Sequence, residues 1–147
     1  MEFNRCQITI FLIFILELLS MSWRNCKNSP DHFCYICGKY TLTSQRRNMT
    51  TQIQHAYHCD FGCKIGDQDK IWAPHICCVS CQSSLSQWLN GKKNSMSFAV
   101  PMIWREPKNH TDDCYFCQVN ISGHSKKSKS TIAYRDCLSA LKRVPHD

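Results

Sequence analysis

Two stretches of the chain carry hydrophobic residues at the spacing of an amphipathic helix. In the first stretch the apolar positions share one side of a helical turn, and they are Ile53, Ala56 and Tyr57. Thr50 or Asn48 is placed to cap its start. In the second stretch the apolar positions are Leu85, Trp88 and Leu89. Gly91 follows as a C-cap, so the pattern predicts two short helices.

Extended structure is predicted in two other places. Residues 41–43, Thr-Leu-Thr, can form a strand ahead of the first helix. Residues 97–104 have the apolar content of a strand, but Pro101 has no amide proton to donate within a sheet. The second segment is therefore predicted to be an edge strand or an extended arm, and the whole to be a small α+β fold.

The first 25 residues are read as an apolar leader. Residues 8–19 form a hydrophobic run, and the small residues of Ser20-Met21-Ser22 resemble a signal-peptidase site. A membrane-spanning helix needs about 20 apolar residues, and Glu17 interrupts this run, so no membrane span is predicted. Two interpretations stay open: residues 1–22 are a signal peptide of a secreted protein, or residues 1–25 are a spurious start of a nuclear or cytoplasmic one.

Cysteine is the residue type that changes this picture most. The chain has 12 cysteines in 147 residues, a density typical of disulfide-bonded or metal-stabilised folds. Disulfides tolerate almost any spacing, whereas a zinc site takes two ligands from one tight turn. Three C-x-x-C turns are present, at residues 34–37, 78–81 and 114–117. Gly38 would let the first turn aim backbone N–H groups at its thiolates, and zinc is therefore favoured.

The three turns differ in what surrounds them. The turns at 34–37 and 114–117 each contain aromatic residues and look like one kind of zinc knuckle used twice. The turn at 78–81 leads directly into the second predicted helix. A knuckle that feeds a helix is the ending of a treble clef, which is the fold we expect for the N-terminal unit.

These motifs resemble a known family. Residues 34–91 are similar to the zinc-finger-associated domain of insect transcription factors, in which a C-x-x-C, a helix, a connection with Gly and Asp, and a Pro-x-x-x-C-x-x-C helix start enclose one zinc. The matching parts here are Cys34 with Cys37, the connection 61–67, and Pro74 ahead of the 78–81 turn. Wider blocks between Cys26 and His146 look like those of short Cys-rich invertebrate proteins.

The resemblance implies the domain organisation and the first metal site. We expect the leader at 1–25, a zinc-finger-associated-like unit at 26–91, and a second C-x-x-C zinc unit with a basic tail at 97–147, with residues 92–96 as the joint. The first zinc site implied by the resemblance consists of Cys34, Cys37, Cys78 and Cys81. No run of C2H2 fingers follows, so sequence-specific DNA binding is not implied.

The second zinc needs two partners for Cys114 and Cys117. His110 and His146 would complete a Cys2His2 site that tethers the end of the chain. The alternative partners are Cys63 and His75, which belong to a cross-braced RING reading and would imply a ubiquitin-ligase component. The cysteines outside the C-x-x-C turns, Cys26 among them, are expected to be small buried residues or free thiols.

Charge and motifs limit the function. Lys and Arg number 18 against 11 Asp and Glu, for a net charge of +7, which permits a nucleic-acid partner without requiring one. No nucleophile elbow, H-E-x-x-H or P-loop motif is present, so neither catalysis nor a small-molecule substrate is expected. The sequence predicts a structural protein-interaction module with two zinc ions, acting on a protein partner or as a homodimer. A secreted, disulfide-rich glycoprotein is the remaining alternative, supported by sequons at Asn48, Asn109 and Asn120.

Overall fold

The computed structural model of the protein describes residues 8–10, 12, 26–92, 96–123 and 131–146. Residues 8–10 and 12 are helical, and within the described ranges no helix is long and apolar enough to cross a bilayer. Most of the leader, residues 93–95 of the predicted joint and the basic tract at 126–129 lie outside these ranges. From residue 26 onward the described chain is a small mixed fold of short helices and strands.

From residue 26 onward, the described chain contains short helices, short strands and 3-10 turns. Helices are α1 (Thr51–Phe61), α2 (Val79–Leu89) and the single turn α3 (Tyr115–Gln118). Strands are β1 (Arg46–Asn48), β2 (Ile76–Cys78), β3 (Ile103–Trp104) and β4 (Ala140–Leu141). Short 3-10 turns occupy Pro30–His32 and Thr43–Gln45.

Helix α1 forms as its sequence predicts. The Thr50 hydroxyl accepts a hydrogen bond from the Ile53 amide at 3.3 Å, which satisfies one of the free amides of the first turn. Gly62 ends the helix in the left-handed conformation, and its amide bonds to the His58 carbonyl. The predicted inner face is confirmed, since the buried residues of α1 are Ile53, Ala56 and Tyr57.

Helix α2 starts inside a C-x-x-C turn. Cys78 is its N-cap, and the Cys78 sulfur accepts a hydrogen bond from the Cys81 amide. The helix ends at Leu89 and is followed by Gly91 at φ 73°, so the predicted stop is confirmed to within two residues. Leu85 is fully buried and Trp88 is half-buried, which makes the inner face narrower than the apolar stripe suggested.

The first sheet is not where the sequence predicted it. β1 pairs antiparallel with β2, with Arg46 opposite Cys78 and Asn48 opposite Ile76. The prediction of a strand at 41–43 was wrong: Thr43 opens a 3-10 turn, and the Thr41 hydroxyl bonds to the Lys39 carbonyl. A strand needs a partner, and β2 runs beside residues 46–48.

The predicted edge segment at residues 97–104 ends in β3, which pairs in the second sheet. β3 pairs antiparallel with β4, with Ile103 opposite Leu141, and a bridge between Val100 and Val144 continues the pairing past Pro101. We call this two-stranded structure the β3–β4 ribbon. Trp104 turns inward, and its indole N–H donates to the Tyr35 carbonyl at 2.8 Å. The ribbon therefore attaches the C-terminal half of the chain to the first C-x-x-C turn.

One hydrophobic cluster joins the two predicted units. Phe33, Ile36 and Leu85 from the first belong to the same core as Phe116 and Val119 from the second. These side chains are all 1% exposed or less. The predicted units thus share a single interior.

Gly38 is the glycine on which the packing depends most. It has φ 76°, and a Cβ added there would meet the Met102 side chain at 2.9 Å. Gly62 has a similar φ of 73° but open space around it. Gly62→Ala should therefore lose about 1–2 kcal/mol of unfolding free energy from backbone strain alone, and Gly38→Ala should lose more. Denaturant unfolding measures both, and equal losses would contradict the Met102 contact.

Candidate metal centres

The first cluster gathers two C-x-x-C turns. The sulfur atoms of its members lie within 4.8 Å of one another, and the members are Cys34, Cys37, Cys78 and Cys81. The Cys37 and Cys78 sulfurs are 3.9 Å apart, although 41 positions separate these residues in the sequence. We call this set the four-cysteine cluster.

Backbone amides surround the sulfurs of the four-cysteine cluster. The amides of Ile36 and Cys37 donate to the Cys34 sulfur at 3.4 and 3.5 Å. Gly38 closes the turn with its amide on the Cys34 carbonyl. Cys78 lies where β2 passes into α2, so its sulfur is at the positive end of a helix. The backbone amides and the helix end favour the thiolate, the form that binds metal, whereas burial opposes it.

The thiol pKa values in this cluster shift in opposite directions, because burial and hydrogen bonding act on them differently. Burial raises the pKa of Cys34 well above its usual value, and hydrogen bonding to Cys34 raises the pKa of Cys81. The pKa of Cys78 is lowered, because its sulfur accepts hydrogen bonds from Cys34 and other thiols of the cluster. Four adjacent thiols, three of them buried, cannot all ionise without a counter-charge, and a bound cation would supply one while releasing their protons.

The second cluster consists of Cys26, His110, Cys114 and Cys117, whose ligand atoms also lie within 4.8 Å of one another. The Cys26 sulfur is 3.7 Å from the Cys114 sulfur and 3.6 Å from His110 Nδ1. His110 Nδ1 is 3.3 Å from the Cys117 sulfur. We call this set the three-cysteine cluster. It is more exposed to solvent than the four-cysteine cluster, because His110 is exposed and Cys114 is its only buried member.

Asn28 explains how Cys26 reaches the second cluster. The Asn28 carboxamide, 6% exposed, donates to the carbonyls of Phe116 and Val119 at 2.7 and 2.6 Å. These two bonds hold the segment around Cys26 against the end of α3. Cys26 therefore precedes the four-cysteine cluster in the sequence but belongs to the three-cysteine cluster.

The predicted ligand His146 requires a correction. His146 Nε2 lies 2.8 Å from the Met96 carbonyl oxygen, and Cys26 has the place beside Cys114 that the sequence analysis gave to His146. Sequence reasoning missed Cys26 because it belongs to no C-x-x-C turn and is 84 positions from His110. Only the folded chain brings them together.

The alternative ligands also lie outside both clusters. His75 Nδ1 is 2.8 Å from an Asp31 carboxylate oxygen, and His75 Nε2 is 2.7 Å from the Lys70 carbonyl oxygen. Cys63 is exposed. The His75 ring thus fastens the 3-10 turn at Pro30–His32 to the connection before β2.

The distances within both clusters fit a tetrahedral ion. Bonds of about 2.3 Å to sulfur and about 2.0 Å to nitrogen put neighbouring sulfurs about 3.8 Å apart, and a sulfur and a nitrogen about 3.5 Å apart. The measured separations of 3.7 and 3.9 Å, and of 3.3 and 3.6 Å, agree with these edges. They are far longer than a disulfide bond, and no disulfide joins the cysteines within the described ranges.

Comparison with protein-family models, with curated proteins and with solved structures finds no match for this chain. Its class therefore rests on fold and site. The chain is a small mixed helix-and-strand fold with two Cys/His clusters compatible with a metal-binding structural module.

Metal counting distinguishes the observed second cluster from the predicted one. Cys26→Ser should lower the metal content from two equivalents per chain to one, because a three-ligand remnant holds metal weakly. His146→Ala should keep two. Cys63→Ser is the matched control for loss of a thiol outside both clusters and should also keep two. Loss of one metal in His146→Ala, with two retained in Cys26→Ser, would contradict the assignment.

Proposed function

We propose that the protein is a structural zinc-binding module that holds a rigid surface for contact with another protein. The observation that carries the proposal is the completeness of both clusters, each with four ligand atoms within 4.8 Å of one another. A site closed by four protein ligands has no open position for a substrate or an activated water. Its role is to stabilise the fold.

Zinc is the proposed metal because of the donor atoms. One cluster offers four sulfurs, and the other offers three sulfurs and an imidazole nitrogen. Sets of this kind in tetrahedral arrangement suit zinc, whereas magnesium and calcium require oxygen ligands. The two clusters imply two zinc ions per chain.

The local fold supports the treble-clef part of the proposal. A knuckle at Cys34–Cys37 comes first, β1 and β2 pair behind it, and Cys78 both ligates and caps α2. This order is also the basis of the proposed relationship to the zinc-finger-associated domain. The two-stranded β1–β2 sheet is only three residues long in each strand, so the ion would contribute a large part of its stability.

The β3–β4 ribbon is the proposed contact surface. From residue 26 onward, the large hydrophobic side chains that are exposed in the described chain are Ile103, Leu138 and Val144. Ile103 lies in β3, Val144 lies in the bridge that continues the ribbon, and Leu138 lies in the turn just before β4. Apolar side chains that concentrate on one structure mark a protein contact. We propose a second copy of this chain as the occupant that can be tested directly.

A reducing compartment follows from the same chemistry. Thiolates that bind zinc must stay reduced, which favours the nucleus or the cytoplasm over secretion. The RING alternative has less support, because a cross-braced finger interleaves its ligand pairs along the chain. Here the four-cysteine cluster is nested between Cys26 and His110. The net charge of +7 supports nucleic-acid association as a secondary property.

Native mass spectrometry of the full chain purified in zinc-containing medium tests the metal. We expect two zinc ions per chain and reduced cysteines. Removing zinc with a strong chelator should abolish the near-UV circular dichroism of the aromatic core, since structural zinc contributes about 10–16 kcal/mol to small folds. A phosphine reductant, which does not compete for zinc as a dithiol does, should leave the fold intact. A metal-free protein that reductant unfolds would contradict the proposal and support the disulfide-rich glycoprotein.

The contact surface is tested by self-association. Leu138→Lys should keep both zinc ions and the fold but weaken dimerisation at least about tenfold, because a central apolar contact is worth 1–2 kcal/mol or more. Gln87→Lys adds the same charge on the exposed side of α2 and should leave association unchanged. Analytical ultracentrifugation over a concentration series measures both. A wild-type chain that stays monomeric throughout would exclude the homodimer.

A further inference from the structure

We infer that the two metal centres are thermodynamically coupled, so that filling one strengthens metal binding at the other. The coupling acts through direct contact between two C-x-x-C turns, the first turn at residues 34–37 and the second turn at residues 114–117. The inference rests on the proposed function and adds a regulatory property to it. Its basis is that residues adjacent to the ligands of one cluster bond and pack against residues adjacent to the ligands of the other.

A buried hydrogen bond joins the two turns. The Tyr115 hydroxyl donates to the Gly38 carbonyl at 2.6 Å. Tyr115 follows the ligand Cys114 directly, and Gly38 follows the ligand Cys37 directly. A buried carbonyl that loses its partner is costly, so a displacement of one turn is felt by the other.

Aromatic packing makes a second link between the turns. Phe33 directly precedes the ligand Cys34, and its ring centroid lies 5.6 Å from that of Tyr115 and 5.3 Å from that of Phe116. Tyr115 and Phe116 are the two residues inside the second C-x-x-C turn. Phe33 and Phe116 are both 1% exposed or less. Close packing of this kind transmits displacement rather than absorbing it.

Strand β3 makes a third link. Its Trp104 indole donates to the Tyr35 carbonyl inside the first turn. The same indole stacks on Phe116 inside the second turn, at 5.4 Å between centroids and 16° between planes. Just before β3, the Met102 amide donates to the Ile36 carbonyl. Both turns are thus held against one strand.

The direction of the coupling follows from these contacts. A turn whose thiols hold an ion is fixed, and it offers its neighbours to the other turn in their bonded positions. A turn without an ion is less ordered, and part of the binding free energy of the next ion is used to order it. When one ion already fixes these contacts, the second ion therefore binds more tightly. Linkage requires the effect to be reciprocal, and contacts of this extent are typically worth about tenfold in affinity.

The full chain loaded to an average of one zinc per molecule provides the test, with native mass spectrometry counting chains that hold none, one and two. Two independent sites of any relative affinity leave at least about half of the chains singly loaded, because coupling alone depletes that state. We expect the singly loaded fraction to fall well below half. Because unequal affinities of the two sites can hide coupling, zinc competition also measures the affinity of the four-cysteine cluster in Cys26→Ser, which disables the other cluster. An affinity equal to that in the doubly loaded wild type would overturn the inference.

Tyr115→Phe removes the linking hydroxyl and leaves all eight ligands in place. It should raise the singly loaded fraction above that of the wild type, towards half. Tyr35→Phe is the matched control, because its hydroxyl accepts from the Gly66 amide and not from the second turn. It should leave the distribution unchanged. An identical distribution in Tyr115→Phe and wild type would remove this hydrogen bond from the coupling.

The two hypotheses fail in different ways. If the chain takes up no zinc, the proposed function fails. If it takes up two zinc ions and the four-cysteine cluster binds zinc equally well with the other cluster filled or disabled, the centres are structural but independent. In that case only the coupling is contradicted.

Discussion

The gathering of thiols from distant parts of the chain is the constraint on which the rest of this structure depends. The four-cysteine cluster joins residues 41 positions apart, and the three-cysteine cluster joins residues 84 and more apart. Each closure orders a long loop at an entropic cost that the short helices and two small sheets cannot offset alone. A cation at each cluster would convert buried, mutually repelling sulfurs into the strongest contacts of the fold.

The clusters are nested, and this arrangement shapes the interior. Cys26 starts the outer set, the inner set lies between, and His110 resumes the outer set. Part of the core consequently forms between the C-x-x-C turns at residues 34–37 and 114–117. There Phe33, Tyr115 and Phe116 pack at ring distances of 5.3 to 5.7 Å. Metal binding at these clusters would therefore also order part of the hydrophobic core, because the three aromatic residues lie next to cluster cysteines in the sequence.

The two clusters differ in their exposure to solvent. The four-cysteine cluster is enclosed by backbone amides and helix α2, whereas His110 leaves the three-cysteine cluster open on one side. From residue 26 onward in the described chain, the exposed large apolar side chains lie on or next to the β3–β4 ribbon. The ribbon is attached to the first turn through Trp104, so a partner bound there would contact a structure joined to the four-cysteine cluster.

Local patterns determined much of this protein from the sequence. The caps and apolar positions of α1, the stop of α2, and the C-x-x-C turns with Gly38 all act within a few residues, where spacing dictates geometry. Spacing could not assign Cys26, because a lone cysteine has no local partner, and Asn28 positions it through contacts some 90 residues away. It could not exclude His146 or place β1 for the same reason. Those features were decided by which segments lie side by side after folding, a property of the tertiary structure alone.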